Sequence, residues 1–184
     1  MLHRMILVAI GANLPGPGGR TPLETCRWAV GRLAELPGLR LAGCSRWYRS
    51  SPVPPSGQPD YINGAVQLAG EADPMALLAA LQGIEAQAGR VRGQANAART
   101  LDLDLLALDG LCMDTTQLTL PHARLSDRAF VLAPLADVAP DWRHPLLHRT
   151  PAGMLAATSQ DGIAVIATNN ACAIGPAALD THFP

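Results

Sequence analysis

A chain of 184 residues, 48% of them hydrophobic, can bury one substantial core, and its length favours one domain over two. With 14 basic and 15 acidic residues the net charge is -1, which excludes the broad electrostatic attraction behind binding to nucleic acid or to an anionic membrane. Only 4% of residues are aromatic, too few for the stacking surfaces of single-stranded nucleic acid binders, so phosphate recognition has to be built locally.

The run Met5–Ile10 is continuous and apolar, which predicts a central strand covered on both faces. It is too short to span a bilayer, and Gly11 and the Pro/Gly cluster to Gly19 follow it instead of a signal-peptide cleavage pattern, so a cytoplasmic protein is expected. Thr21, Pro22 and Glu24 combine an N-cap, a first-turn proline and a capping-box carboxylate, and predict a helix starting there. Leu23, Cys26, Val30, Leu33 and Leu36 then recur at helical spacing until Pro37 and Gly38 stop them. Residues 39–48 read as a second strand, and the prolines of segment 50–57 exclude regular pairing and predict a long exposed loop. In segment 61–68, Ile62, Val66 and Leu68 share one face and Tyr61, Asn63 and Gln67 the other, the pattern of a half-buried strand. Asp73 and Pro74 cap a second helix with the stripe Leu77, Leu81, Ile84 and Ala88, which sets Glu85 beside the buried face rather than within it.

From Arg99 to Leu106, leucine and aspartate alternate with the two-residue period of a strand. The order β-α-β-β-α-β predicts an α+β, ferredoxin-like fold, an antiparallel sheet with both helices packed on one side. Cys26, Cys44, Cys112 and Cys172 contain no C-x-x-C pair, so reduced thiols are expected rather than a zinc site or a disulfide framework.

Burial of Leu101, Leu103 and Leu105 forces Asp102 and Asp104 onto the opposite face, roughly 7 Å apart along the strand. Two such carboxylates repel each other, and a hard divalent cation removes that cost while taking oxygen ligands, so magnesium bridging substrate phosphates fits them. For D-x-D alone, a solvated acidic face is the competing reading. Arg90, Arg92 and Arg99 bracket the approach to this strand, and a triphosphate with its metal would satisfy both signs of charge. Phosphoryl-type transfer needs positioned reactants and offset charge, not a covalent nucleophile. Segment 11–19 has neither G-x-x-x-x-G-K-[ST] nor G-x-G-x-x-G, so neither a P-loop nor a dinucleotide fold is predicted. Tyr61 beside Asn63 suits stacking on and hydrogen bonding to a flat heterocycle, with plain packing as the alternative. His144 and His148 are separated by Pro145 and lack a third ligand, so no metal site is expected there.

Ile10–Leu14, Gln58–Asn63, Gly89–Arg92, Arg99–Asp104 and Leu118–His122, taken together, resemble the 6-hydroxymethyl-7,8-dihydropterin pyrophosphokinase family. The combination R-T-L-D-L-D with a downstream P-H and a preceding Q-P-D-Y-x-N is specific. The resemblance implies a ferredoxin-like fold and transfer of the β,γ-diphosphate of ATP to a pterin hydroxymethyl group, releasing AMP, with two magnesium ions on Asp102 and Asp104. It implies that Tyr61 and Phe130 sandwich the pterin, while Asn63 and groups at Ser50, Ser51 and Val53 read its edge and Asp104 approaches the hydroxymethyl end. Glu85, Arg90, Arg92, Arg99, Thr119, His122 and Arg128 would line the nucleotide side. Arg90, Arg92 and Arg99 with the two aspartates would form the catalytic set, in a monomer without nucleic acid or membrane partners.

Segment 93–98, Gly-Gln-Ala-Asn-Ala-Ala, replaces a longer family loop carrying Arg, Trp, Gly and Pro, which implies a reduced lid. Gln117 stands where many members place an arginine. Residues 1–162 are expected to form the catalytic domain and 163–184 a C-terminal extension, disordered or docked on it. A metal-dependent nucleotidyltransferase would use the same aspartates and arginines but needs no heterocycle site at Tyr61 and Asn63. A purely ligand-binding module would leave the Asp/Arg cluster without a role.

Overall fold

The structure, a computed structural model, describes residues 4–90 and 97–166. β1 (Arg4–Ala12) lies between β4 (Tyr61–Gly70) and β5 (Asp102–Leu108), antiparallel to both. On the far side of β4 the chain pairs twice, through β2 (Leu39–Cys44) and then β3 (Tyr48–Ser50). Counting β2 and β3 as one interrupted strand, the sheet runs fourth, first, third, second in chain order, with α1 (Pro22–Ala34) and α2 (Pro74–Gln87) as its crossovers. That is the ferredoxin-like α+β arrangement.

Local sequence chemistry explains the elements. Thr21 accepts from the Glu24 amide while the Glu24 carboxylate accepts from the Thr21 amide, the reciprocal cap expected for α1. Asp73 caps α2 by accepting from the Ala76 amide at 2.8 Å. In β1, Ile6, Val8, Ile10 and Ala12 point into a core with α1 and α2, and Leu7 into a second core on the other face.

That second core comes from an element the sequence reading did not identify. α3 (Ala129–Val138) packs across β4 and β1, backed by α4 (Pro151–Leu155), so β4 is covered on both faces along much of its length rather than half-buried. α3 has no side-chain cap, carries Pro134 inside and has Asp137 as its one charged residue, so it offers neither a start signal nor a polar stripe. A short ribbon of β6 (Met113–Asp114) and β7 (Thr119–Leu120) sits beside β5, and β8 (Ile163–Val165) adds to the outer edge of β3. Cys26 and Cys112 are free, as expected for reduced thiols, but Cys44 is disulfide-bonded, which corrects that expectation.

The expected single strand 39–48 is broken by a bulge in which Ser45, Arg46 and Trp47 face Gly64 and Ala65. Ser45 Oγ accepts from the Ala65 amide at 2.9 Å, replacing a ladder bond, and Trp47 turns fully into the core across Gly64. A Cβ at Gly64 would stand 2.5 Å from Trp47 Cζ3 and 2.7 Å from Cε3. Gly64→Ala is therefore expected to cost about 3 kcal/mol by overpacking, read as a lower denaturant midpoint with unchanged slope.

At the end of the second core, His144 is buried against Trp142, and its Nδ1 accepts from the Leu146 and Leu147 amides, both at 3.3 Å. Burial pushes its pKa below the ordinary value of 6.5. The unfolded chain therefore takes up this proton first, so the stability is present above that value and is lost as pH falls below it. Thermal melts between neutral pH and pH 5 should show this loss, and His144→Asn should flatten it.

Candidate active site

The site lies where α3 leaves the sheet uncovered. Register places Asp102 opposite Gly11 and Gly11 opposite Asn63, in one row across β5, β1 and β4, with Asp104 one step along beside Ala9. Leu101, Leu103 and Leu105 are buried in the helix-side core, which holds the two carboxylates on the opposite face. Gly11 keeps the floor between them low, since a Cβ there would reach 3.7 Å from Asn63 Oδ1 and 3.9 Å from Asp102 Cβ. Above this floor opens a cavity of 710 Å³.

Ser50, Ser51, Val53, Tyr61, Asn63, Asp104 and Phe130, the residues expected around a pterin, all line this cavity. Asn63 donates through Nδ2 to Ser50 Oγ at 2.8 Å, and Tyr61 Oη lies 3.4 Å from Gln58 Oε1 and from the Ala97 carbonyl. Phe130 sits in the first turn of α3, beneath the Arg128 guanidinium at 5.6 Å. Val53 is 68% exposed, an apolar side chain standing open at the mouth.

The residues expected around a nucleotide divide into two groups. Arg99 and Arg128 line the cavity with Asp102 and Asp104. Glu85 and Arg90 lie at the end of α2, outside the lining, and Arg90 Nη1 bridges Glu85 to Asp102 Oδ1, the latter at 2.7 Å. Arg99 pairs with the other oxygen of Asp102. His122 follows β7, where its amide donates to the Leu106 carbonyl at 2.8 Å and its charge acts on Asp104. Thr119 bonds Asp114 across the small ribbon and does not line the cavity. Arg92 lies outside the described residues, as does the greater part of the 93–98 loop.

Glu85 corrects an expectation. It is 3% exposed rather than flanking the buried stripe, because its carboxylate accepts from the Leu103 amide at 2.8 Å and pairs with Arg90. Burial raises its pKa, with the Leu103 amide and Arg90 pulling the other way. Burial and the neighbouring Asp102 charge also raise the pKa of Asp104, against His122, Arg128 and Arg99. Burial and nearby Arg124 lower the pKa of Arg128, whose Nε is buried without a partner.

Residue-level reading missed Asn13. Fully buried, it accepts from the Arg99 amide at 2.8 Å and donates to Gln58 Oε1 and the Pro59 carbonyl, tying the approach to β5 to the loop before Tyr61. An asparagine in a Gly-rich turn reads as turn chemistry, and only its distant partners show otherwise. Arg124, Asp127 and four residues of the C-terminal segment, Thr158, Ser159, Asp161 and Ile163, also line the cavity and were not anticipated.

The family described as 7,8-dihydro-6-hydroxymethylpterin-pyrophosphokinase (HPPK) matches residues 7–140, well over half of the chain. The chain belongs to this family. A 2-amino-4-hydroxy-6-hydroxymethyldihydropteridine pyrophosphokinase of Pseudomonas aeruginosa is 41% identical over 163 residues, covering 89% of this chain and 96% of the relative. One of the same description from Synechocystis is 41% identical over 144 residues, 78% of this chain and 71% of the relative. The fold is shared with the Plasmodium falciparum HPPK-DHPS wild type at TM-score 0.62 and 11% identity, over 84% of this chain and 44% of that longer one. Asp102, Asp104, Arg99, Arg128, Tyr61, Asn63 and Phe130 thus lie within the matched span.

Proposed function

We infer that this chain transfers a diphosphate group from ATP to the hydroxymethyl group of 6-hydroxymethyl-7,8-dihydropterin, in folate biosynthesis. The observation that carries this is one cavity in which a wall of Tyr61, Asn63 and Phe130 faces the carboxylates of β5 and the arginines Arg99, Arg124 and Arg128. In the step, the hydroxymethyl oxygen forms a bond to the β-phosphorus, the bridge between the α- and β-phosphates breaks, AMP leaves, and the hydroxyl proton is released. Tyr61 and Phe130 hold the flat ring, Asn63 and the Ser50–Val53 segment read its polar edge, and this fixes the acceptor oxygen near Asp104.

Asp102 and Asp104 fit a hard cation. They are two carboxylates on one strand face, opening into the cavity, and Asp104 is ionised only against burial and a like charge. Magnesium held there, two ions by family resemblance, would neutralise the phosphates and align them. Arg99 and Arg128 supply positive charge from the walls, while Arg90, anchored by Glu85, and His122 border the nucleotide side. Arg92 and Thr119 are carried as nucleotide contacts by resemblance. The use of ATP suits a cytoplasmic enzyme, proposed as a monomer acting on small molecules; among the described residues no helix is long and apolar enough to cross a membrane.

The test is to incubate the protein with ATP, magnesium and the reduced hydroxymethylpterin and to analyse the nucleotide product. AMP in equal amount with the pterin diphosphate is expected. Formation of ADP or of free pyrophosphate, or no turnover, would contradict the reading.

A further inference from the structure

The C-terminal segment after residue 140 lies beyond the span of the family match, yet it closes one side of the cavity. β8 pairs antiparallel with β3, setting Ile163 opposite Ser50 and Val165 opposite Tyr48. Just before it, the Gly162 carbonyl accepts from the Ser51 amide at 3.2 Å, and just after it the Ile166 amide donates to the Trp47 carbonyl at 2.8 Å. At its other end Thr158 Oγ1 donates to the carbonyls of Met154 and Ser126, holding the segment beside the loop that precedes α3. These anchors stand on both sides of Ser50 and Ser51. The loop from Ser51 to Asp60 has no strand of its own, and its prolines cannot donate, so its first residues depend on a neighbour for backbone partners.

We propose that residues 158–165 are a working wall of the acceptor subsite. β8 and Gly162 fix the backbone of Ser50 and Ser51, and Ile163 supplies apolar surface beside them, so this segment sets affinity for the pterin. The proposal rests on the assignment of Tyr61, Asn63 and Phe130 to the pterin. Position in the sheet separates this wall from the phosphate side. β8 lies at one edge and β5, with Asp102 and Asp104, at the opposite one, so a disturbance of β8 reaches the acceptor before it reaches the carboxylates. Gly162 has φ +72°, a conformation that favours glycine, and a side chain there would also meet Ser51 Cβ at 3.6 Å. A β-branched residue at this position therefore shifts the carbonyl that Ser51 uses.

The experiment is steady-state kinetics of the full-length chain with each substrate varied in turn, for Gly162→Val, Ile163→Ala and the reference variant Tyr61→Ala, with a thermal melt of each. Gly162→Val and Ile163→Ala are expected to raise KM for the pterin on the order of tenfold, while KM for ATP moves less than about twofold. Ile163→Ala removes only a half-buried side chain and guards against misfolding at Gly162. If Tyr61→Ala raises the pterin KM selectively but the two C-terminal variants leave it unchanged, or raise both constants together, the wall is structural only and the proposal fails. If Tyr61→Ala is not selective either, the assignment of the pterin side fails, and the proposal with it.

Discussion

Asp104→Asn is expected to reduce kcat at least about a thousandfold, some 4 kcal/mol of transition-state stabilisation, while leaving the protein as stable as the parent or more so. The two halves of this expectation have separate causes. Turnover falls because Asp104 is one of the two β5 carboxylates facing the cavity, and an amide neither neutralises a cation nor holds it as tightly. Stability is kept because burial and the Asp102 charge both oppose ionisation of Asp104, so the neutral amide relieves a cost in the protein without metal. Asp102→Asn should lose turnover to a similar degree and stability as well, by about 1 to 2 kcal/mol. Its oxygens pair with Arg90 and Arg99, and Arg99 would keep no carboxylate partner. Urea unfolding in the presence of a chelator, beside kinetics with magnesium, separates the two variants. A destabilised Asp104→Asn would refute the view that this carboxylate is held against the preference of the fold.

The difference between these aspartates marks how far the sequence could be read. Leucine–aspartate alternation determines which face both side chains take, because a strand has no freedom to place them elsewhere once its leucines are buried. The caps of α1 and α2 were equally readable, since a capping box and an Asp-Pro start involve residues within four positions of each other. What could not be read depends on partners far along the chain. Nothing near Asn13 announces that it will hold the Arg99 amide, and nothing near Tyr61 announces a wall made by Ile163. α3 escaped for a different reason: a helix packed between sheet and α4, with Asp137 as its one charged residue, has no polar stripe, so its periodicity disappears. The break at Ser45 was hidden because a serine side chain can substitute for a backbone donor or acceptor without altering the apolar pattern.

Glu85→Ala is expected to destabilise the protein by about 3 kcal/mol, against about 1 to 2 for Glu85→Gln. The carboxylate serves two partners at once, the buried Leu103 amide and the half-buried Arg90. It accepts from the Leu103 amide and it neutralises Arg90, and alanine abandons both, whereas glutamine still offers an oxygen to Leu103. Leu103 is the residue between Asp102 and Asp104, so the Glu85–Leu103 bond fixes the strand at the point from which both carboxylates project. Glu85→Ala should therefore also lower kcat in preparations that remain folded at the assay temperature, while Glu85→Gln should retain more of it. Denaturant midpoints and kcat for the two variants check this together. Equal losses in the alanine and glutamine variants would mean that the charge opposite Arg90, and not the support of β5, is what this buried glutamate contributes.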